Sequence, residues 1–390
     1  MRDWRGAPLF CYCIRPFFLG AAIWAALAMG LWIAMLAGLA HIPSHMDATT
    51  WHAHEFLFGY LGAVIAGFML TAVPNWSGHL PVVGRGLMAL FALWVLGRGA
   101  MATSAFWPVW LAVTLDLAFV GVLALCILRE IIAGPGWRNA EMLALLAVFG
   151  LSNALFHLDV IAGNSAVHGI GLRLGVGTVV MMIGVVGGRI VPSFTRNWLA
   201  KARLDARPVA PMQRFDKAVL VLSGVALLLW LTGPDAPLSG VALLAMGALH
   251  LGRMARWQGH RTGAEPLVWV LHAGYSCVPL GALIVGWSIL APEQIARAAA
   301  LHMWMAGAFG VMTLAVMTRS VLAHIGRVTH AGPGTAAIYG CVILSVAVRL
   351  LAGIWPQGAD LAHAVSGALW IAGFAGFALL YGPGMIRVRP

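Results

Sequence analysis

The chain has 390 residues, of which 61% are apolar and only 9% charged, with a formal net charge of +11. Apolar stretches near twenty residues recur from end to end, which excludes a soluble globular domain or a disordered chain and points to an all-α integral membrane protein. The positive balance does not imply nucleic acid, because Lys and Arg of membrane proteins collect in cytoplasmic loops and no basic patch interleaved with aromatics is present.

Stretches bounded by Pro, Gly or charge predict about twelve spans in one bundle: residues 17–40, 51–74, 86–106, 108–132, 139–162, 166–194, 216–233, 237–256, 266–290, 294–320, 333–353 and 361–381. Arg2, Arg5 and Arg15 precede the first run as in a signal sequence, but that run is too long for one and reads as an uncleaved span. The joins at Trp107-Pro108 and Gly163-Asn164 are short enough to require hairpins. Of the 24 Lys and Arg, only Arg297 falls in the loops opposite the basic ones, so both termini are expected in the cytoplasm. The connection over residues 189–217 is the longest and most basic. It divides one polytopic domain, 1–390, into halves of about 1–195 and 216–390 around a basic cytoplasmic loop of about 195–215.

Three arginines, Arg98, Arg173 and Arg349, fall inside spans, where each needs an acid, a carbonyl or a cofactor carboxylate. The acids within reach of such pairing are Asp116, Asp159 and Glu55. Spans 2, 6 and 10 each begin near a histidine (His52 and His54, His168, His302), are rich in small residues and end on polar segments, which suggests a four-helix pseudo-repeat.

The chemistry centres on residues 51–78, WHAHEFLFGYLGAVIAGFMLTAVPNWSG, where two imidazoles and a carboxyl open a membrane span. On a regular helix His52 and His54 stand about 200° apart, so they face one point only if the first turn is irregular. His52 shares a stripe with Glu55, Gly59, Gly62 and Ala66, narrow enough to admit a flat macrocycle or a neighbouring helix. His272, His302 and His324 are further imidazoles on helices that can converge, and neutral imidazole suits iron, copper and zinc alike. Glu55 is the best proton-handling group, or else supports a ligand histidine. His157, near Asp159, stands second to these. His168, His363, His250 and His260 read as interfacial, and His41, His45, His79 and His330 as loop residues. The five cysteines include one CxC, Cys11 and Cys13; without a C-x-x-C-H any haem is held non-covalently. Serine elbows, phosphate loops and zinc-protease helices are missing from the sequence.

WHAHEFLFGY, AVIAGFMLTAVPNWSG, GGRIVPSFTRNWL, LHAGY with PLG, and LHMWMAGAFGVMTLAVMTRSVLAHIGR resemble the signature segments of the NnrS family, twelve-span membrane proteins expressed in response to nitric oxide in bacteria. The resemblance covers nearly the whole chain. It implies a protein of the bacterial cytoplasmic membrane that carries haem b and copper and helps cells withstand nitrosative stress. His52, His54 and Glu55 match the WHxHE segment, His272 the LHxGY segment and His302 the ALH segment. Arg189 matches GGR, Arg319 VMTR, and His324 the GHTGR segment, where Ala323 and Ile325 replace the usual Gly and Thr while Arg327 is kept. A broader analogy links histidines on spans 2 and 10 to haem-copper oxidases and nitric oxide reductases, although the paired-histidine copper motif of that superfamily is missing after span 6.

Three functions are consistent with this reading. The first is a nitric oxide reductase-like oxidoreductase, with His52 and His302 on haem, His54 and His272 next for copper or a second haem, His324 a further ligand, Arg189 and Arg319 binding cofactor, and Glu55 supplying protons. It requires an electron donor within reach of the bilayer. The second is a nitric oxide-binding or metal-protecting protein without turnover. The third is a twelve-helix transporter.

Overall fold

A computed structural model describes residues 4–77 (side chains through residue 74), 82–133, 140–204, 209–326 and 329–387. His79 and Arg327, and residues 205–208 of the basic connection, lie outside the described residues. Among the described residues there is no strand, and twelve helices are long and apolar enough to cross a membrane. These are α1 (Ile14–Leu36), α2 (Ala48–Pro74), α3 (Arg85–Ala102), α4 (Val109–Ala133), α5 (Ala140–Ile161), α6 (Ile170–Lys201), α7 (Arg214–Thr232), α8 (Pro237–Ala255), α9 (Pro266–Leu290), α10 (Arg297–His324), α11 (Pro333–Leu351) and α12 (Pro356–Arg387). The chain is therefore an all-α, multi-pass membrane protein. Exposed Leu125, Val221, Leu228 and Leu379 form the apolar exterior that a bilayer solvates.

Most spans match their expected limits, but α6 and α12 run longer. Helix α6 continues to Lys201, so the first part of the basic connection is helical. The segment after Pro192, SFTRNWLAK, holds no further breaker, and hydropathy marks where a helix leaves lipid rather than where it ends.

The chain clusters into two compact units. Unit 1 comprises Met1–Gly175, Ser320–Arg327 and Phe374–Pro390; unit 2 comprises Val176–Arg319 and Val328–Gly373. In unit 1, Phe17 and Phe18 of α1 are fully buried against Gly67 of α2, where a Cβ would stand 2.7 Å from the Phe18 ring. Arg15 is fully buried and donates to the carbonyls of Pro8 (3.2 Å), Met385 (3.1 Å) and His324 (3.4 Å). Carbonyl dipoles thus take up much of this buried cation's hydrogen-bonding capacity.

Helix α2 opens on an N-cap, the Asp47 carboxylate accepting from the N–H groups of Thr49 (2.9 Å) and Thr50 (3.1 Å). It then changes winding: Ala48–His54 is α-helical, Glu55–Tyr60 is π-helical, and the α-helix resumes at Leu61. Helix α10 repeats the sequence, with α-helix over Arg297–His302, π-helix over Met303–Val311 and α-helix over Met312–His324. Two of the three spans expected to be related therefore share an internal irregularity of a kind common at functional sites.

In unit 2, α8 and α9 approach through glycines. A Cβ on Gly286 would lie 2.7 Å from the Gly240 carbonyl oxygen, and one on Gly240 3.0 Å from that of Gly286. A bound between backbones offers no side chain to swing aside. Gly286→Ala should lower detergent-solubilised stability by roughly 1–3 kcal/mol. Gly224→Ala, where nothing lies within 4 Å of the added methyl, should be neutral or stabilising by up to about 1 kcal/mol; thermal unfolding of both variants checks the contrast.

Candidate functional site

The first turn of α2 is regular, so His52 and His54 stay on different sides, and the π-helical segment begins only at Glu55. Glu55 goes with His54, whose Nδ1 lies 3.0 Å from Glu55 Oε1, and not with His52 as the helical stripe predicts. His52 turns away instead, stacked on Trp32 (4.4 Å between ring centres, 15° between planes) and against Phe56 at 4.7 Å.

Around His54 and Glu55, unit 1 assembles a deeply buried ionic network. His54 and Glu55 are wholly buried, and Arg98, Asp116, Asn153 and His157 are each 4% exposed or less. Arg98 of α3 donates through Nη1 to Glu55 Oε1 at 2.6 Å and through Nη2 to Asp116 Oδ1 on α4. Asp116 Oδ2 receives Asn153 Nδ2 (2.7 Å), His157 Nε2 (3.0 Å) and His54 Nε2 (3.1 Å). Trp24 Nε1 donates to Glu55 Oε2 at 2.8 Å. His54 Nε2 also lies 3.1 Å from Asn153 Oδ1, so both of its nitrogens face acceptors only, the geometry of an imidazolium. Two cations, Arg98 and His54, then balance two anions, Glu55 and Asp116. Gly59 is required beside them: a Cβ there would sit 2.7 Å from both Arg98 Nη1 and Glu55 Oε2. A cavity of about 10 Å³, bounded by Arg98, Asp116, Asn153 and apolar side chains, has room for one water-sized occupant and none for a macrocycle.

Of the intramembrane arginines, Arg98 takes both Glu55 and Asp116, while Arg173 donates to the His168 carbonyl. His157 binds Asp116 rather than Asp159, whose carboxylate instead lies beside Gly169. In the sequence Asp116 stands out as an acid amid an apolar run and His157 as a second-rank histidine; Asn153 is not singled out, although its i, i+4 spacing from His157 puts the two on one helical face.

In unit 2 the signature segments meet one another. Thr195 donates to the Val191 carbonyl (2.8 Å) and so accepts from His272 Nε2 (2.8 Å), leaving the Nδ1 side of that ring packed on Gly259. Arg319 lies 3.7 Å above the Phe194 ring. Gly187 and Gly188 make room for the Tyr275 ring and the Arg253 guanidinium. Arg253 donates to Asp216 (2.8 Å), the Gly184 carbonyl (2.9 Å) and the Tyr275 hydroxyl (2.8 Å). That hydroxyl is 2.9 Å from His250 Nδ1, and His250 Nε2 is 2.9 Å from Ser223, whose own proton goes to the Val219 carbonyl. Arg189 opens this region, its carbonyl accepting from Ser193 at 2.6 Å. In the sequence alone Asp216 and Arg253, at the ends of α7 and α8, look like loop charges, and nothing there marks the His250–Tyr275 pair as a site.

These donor sets can be matched to the metals the sequence suggests. His302 donates Nδ1–H to the Ala298 carbonyl (2.6 Å) and His324 to that of Ser320 (2.8 Å), the backing that fixes Nε2 as the ligating nitrogen of an axial histidine. Both are therefore oriented as metal-binding histidines are. His54, Asp116 and His157 each offer an atom within 4.8 Å of the others, a spacing that suits one metal ion, yet His54 has both nitrogens engaged. Among the described residues of unit 1, His157 Nδ1 is a buried ring nitrogen left without a hydrogen bond, as are both nitrogens of His45.

Removing one charge from the network strands its partner. Asp116→Asn should destabilise the folded protein by about 3–5 kcal/mol, as for other buried pairs broken on one side, and thermal unfolding against the unsubstituted chain measures it.

No curated protein is similar enough to the chain to add a comparison. The model of the NnrS family, described as NnrS protein, matches residues 8–389, which takes in both units and every segment described above. The chain belongs to the NnrS family.

Proposed function

We propose that this chain is a haem- and copper-carrying protein of the bacterial cytoplasmic membrane, with both termini in the cytoplasm, that reduces nitric oxide to nitrous oxide in defence against nitrosative stress. Family membership ties it to the nitric oxide response. The observation that carries the enzymatic part is the buried ionic network, whose exchangeable protons stand where no bulk water reaches. Two nitric oxide molecules, two electrons and two protons give one nitrous oxide and one water. Bound haem and copper would hold the two molecules side by side and deliver the electrons.

The protein's own residues supply the rest. His52, His302 and His324 are the residues that would hold haem iron, the last two through their backed Nε2 atoms, and Arg189 and Arg319 would hold the cofactor's acidic groups. His272, held by Thr195, is a further copper candidate beside His54. His54 bridges the Glu55 and Asp116 carboxylates, so Glu55 can take up the His54 proton and pass it on, and the transfer between the two neutralises both groups inside the membrane. Electrons come from a donor yet to be identified. A non-catalytic nitric oxide-binding or metal-protecting role is the second reading, favoured by how completely the network is satisfied.

Purified protein given an artificial electron donor should produce nitrous oxide continuously by gas chromatography. Glu55→Gln should slow that production by about 10²-fold or more, and His302→Ala should abolish most of the b-type haem absorbance. Nitric oxide loss that stops after one or two equivalents would leave the binding reading in place of the enzyme.

A further inference from the structure

Gly59 and Gly62 share a stripe in the sequence, but the structure fills the space beside them differently. Arg98 and Glu55 crowd Gly59, whereas a Cβ on Gly62 would meet the Phe119 ring alone, at 3.6 Å. The open side of Gly62 belongs to the cavity of about 10 Å³ at the edge of the ionic network, whose apolar wall includes the rings of Phe58, Phe119 and Phe149. Its polar wall is Arg98, Asp116 and Asn153.

That polar wall is unfinished. Arg98 is 4% exposed and its Nη1 and Nη2 go to Glu55 and Asp116, yet its buried Nε has no hydrogen-bond partner. Nε and Nη2 form one edge of the planar guanidinium, so the idle N–H points to the same side as the bond to Asp116. Among the described residues, Asp116 Oδ1 takes that one bond and Asn153 Oδ1 takes His54 Nε2 at 3.1 Å, which leaves a lone pair on each oxygen. One donor and two acceptors around a space for a single small molecule are the conditions under which a buried cavity holds water; a gap of that size lined by hydrocarbon alone stays dry.

We infer that this cavity is a binding site for one water molecule, which accepts from Arg98 Nε and donates to Asp116 and Asn153. Arg98 and the His54 imidazolium donate, and the two carboxylates accept. The water does both, so it gives Asp116 a proton carrier that none of the four charged groups supplies. At Gly62 the small-residue stripe thus admits neither a macrocycle nor a helix but one solvent molecule. The inference goes beyond the proposed function and depends on neither metal nor turnover.

The test is radiolytic footprinting of the full-length protein in detergent. A brief X-ray pulse turns bound water into hydroxyl radical, which oxidises the side chains nearest to it, and mass spectrometry locates the products. Phe58, Phe119 and Phe149 are each 3% exposed or less, so their oxidation requires water held beside them. They should oxidise well above Phe377, which is fully buried and outside the cavity wall. Gly62→Ala puts a methyl into the cavity and should bring the three rings down to the Phe377 level. Thermal unfolding reads the same question by its sign. The reference is Gly224→Ala, which adds a methyl to a helix with nothing within 4 Å. Against it, Gly62→Ala should unfold at a lower temperature because Arg98 Nε loses its acceptor, and Gly62→Ser, whose hydroxyl stands in for the water, should recover part of the loss. Oxidation of the three rings no greater than that of Phe377 in the unsubstituted chain overturns the inference, and that measurement decides the matter if the Gly62 variants fail to fold. So does a Gly62→Ala variant that oxidises as the unsubstituted chain does, or that gains as much stability as Gly224→Ala.

Discussion

Unit 1 depends on one constraint: an arginine in an apolar interior must be met by equal and opposite charge, held in place. Taking each ion out of water costs several kcal/mol even after relaxation, and only near-ideal geometry returns it. Arg98 meets that condition by bridging Glu55 and Asp116, and the surplus negative charge draws in His54 as a second cation. Asn153, Trp24 and His157 occupy the remaining carboxylate positions. The bare backbone of Gly59 and the π-helical turn of α2 follow from that arrangement, since both exist to let the charged groups close on one another.

The other buried arginines find different answers to the same requirement. Arg253 shares one carboxylate with a carbonyl and a phenol, Arg15 relies on backbone carbonyls, and Arg319 lies on the face of Phe194. A guanidinium suits all of these because its planar fork stays charged and can be shared among several acceptors or laid on a ring. Within unit 2 the acceptors of Arg253 also fix a proton arrangement. The Ser223 hydroxyl is committed to Val219, so His250 carries its hydrogen on Nε2 and takes the Tyr275 proton on Nδ1.

The fold class was legible because hydropathy reports directly on the solvent a helix faces, and twelve apolar runs became twelve helices. His54 and Glu55 were legible because polar groups in such a run need a reason. What stayed hidden was pairing between helices distant in sequence. Asp116 looked like a partner for some arginine, but nothing in its own stretch joins it to His54, His157 and Asn153 at once. His45 looked like an ordinary loop residue because its burial comes from tertiary contacts such as that between Ser44 and Ser104. The glycine stripes were read as a groove for a cofactor or a helix. At Gly59, Gly188, Gly307 and Gly310 the nearest occupants are side chains: Arg98 and Glu55, Arg253, Cys277 and Trp370. A glycine count records that something comes close without saying what.

The π-helical turns in α2 and α10 put a further condition on the chain, one of phase. Such a turn holds one more residue than the α-helical turn it replaces, so the stretches on its two sides are out of step with a continuous helix. Deleting Phe56, Leu57 or Phe58 would let an ordinary α-helical turn take the place of the π-helical one, with Ala48–His54 and Leu61 onward kept in nearly the same rotation, but it would shorten the spacing between Glu55 and Gly59, the two residues packed on Arg98. A span of this kind can therefore shed a residue at its irregular turn and remain one helix, while the side chains inside that turn lose their places.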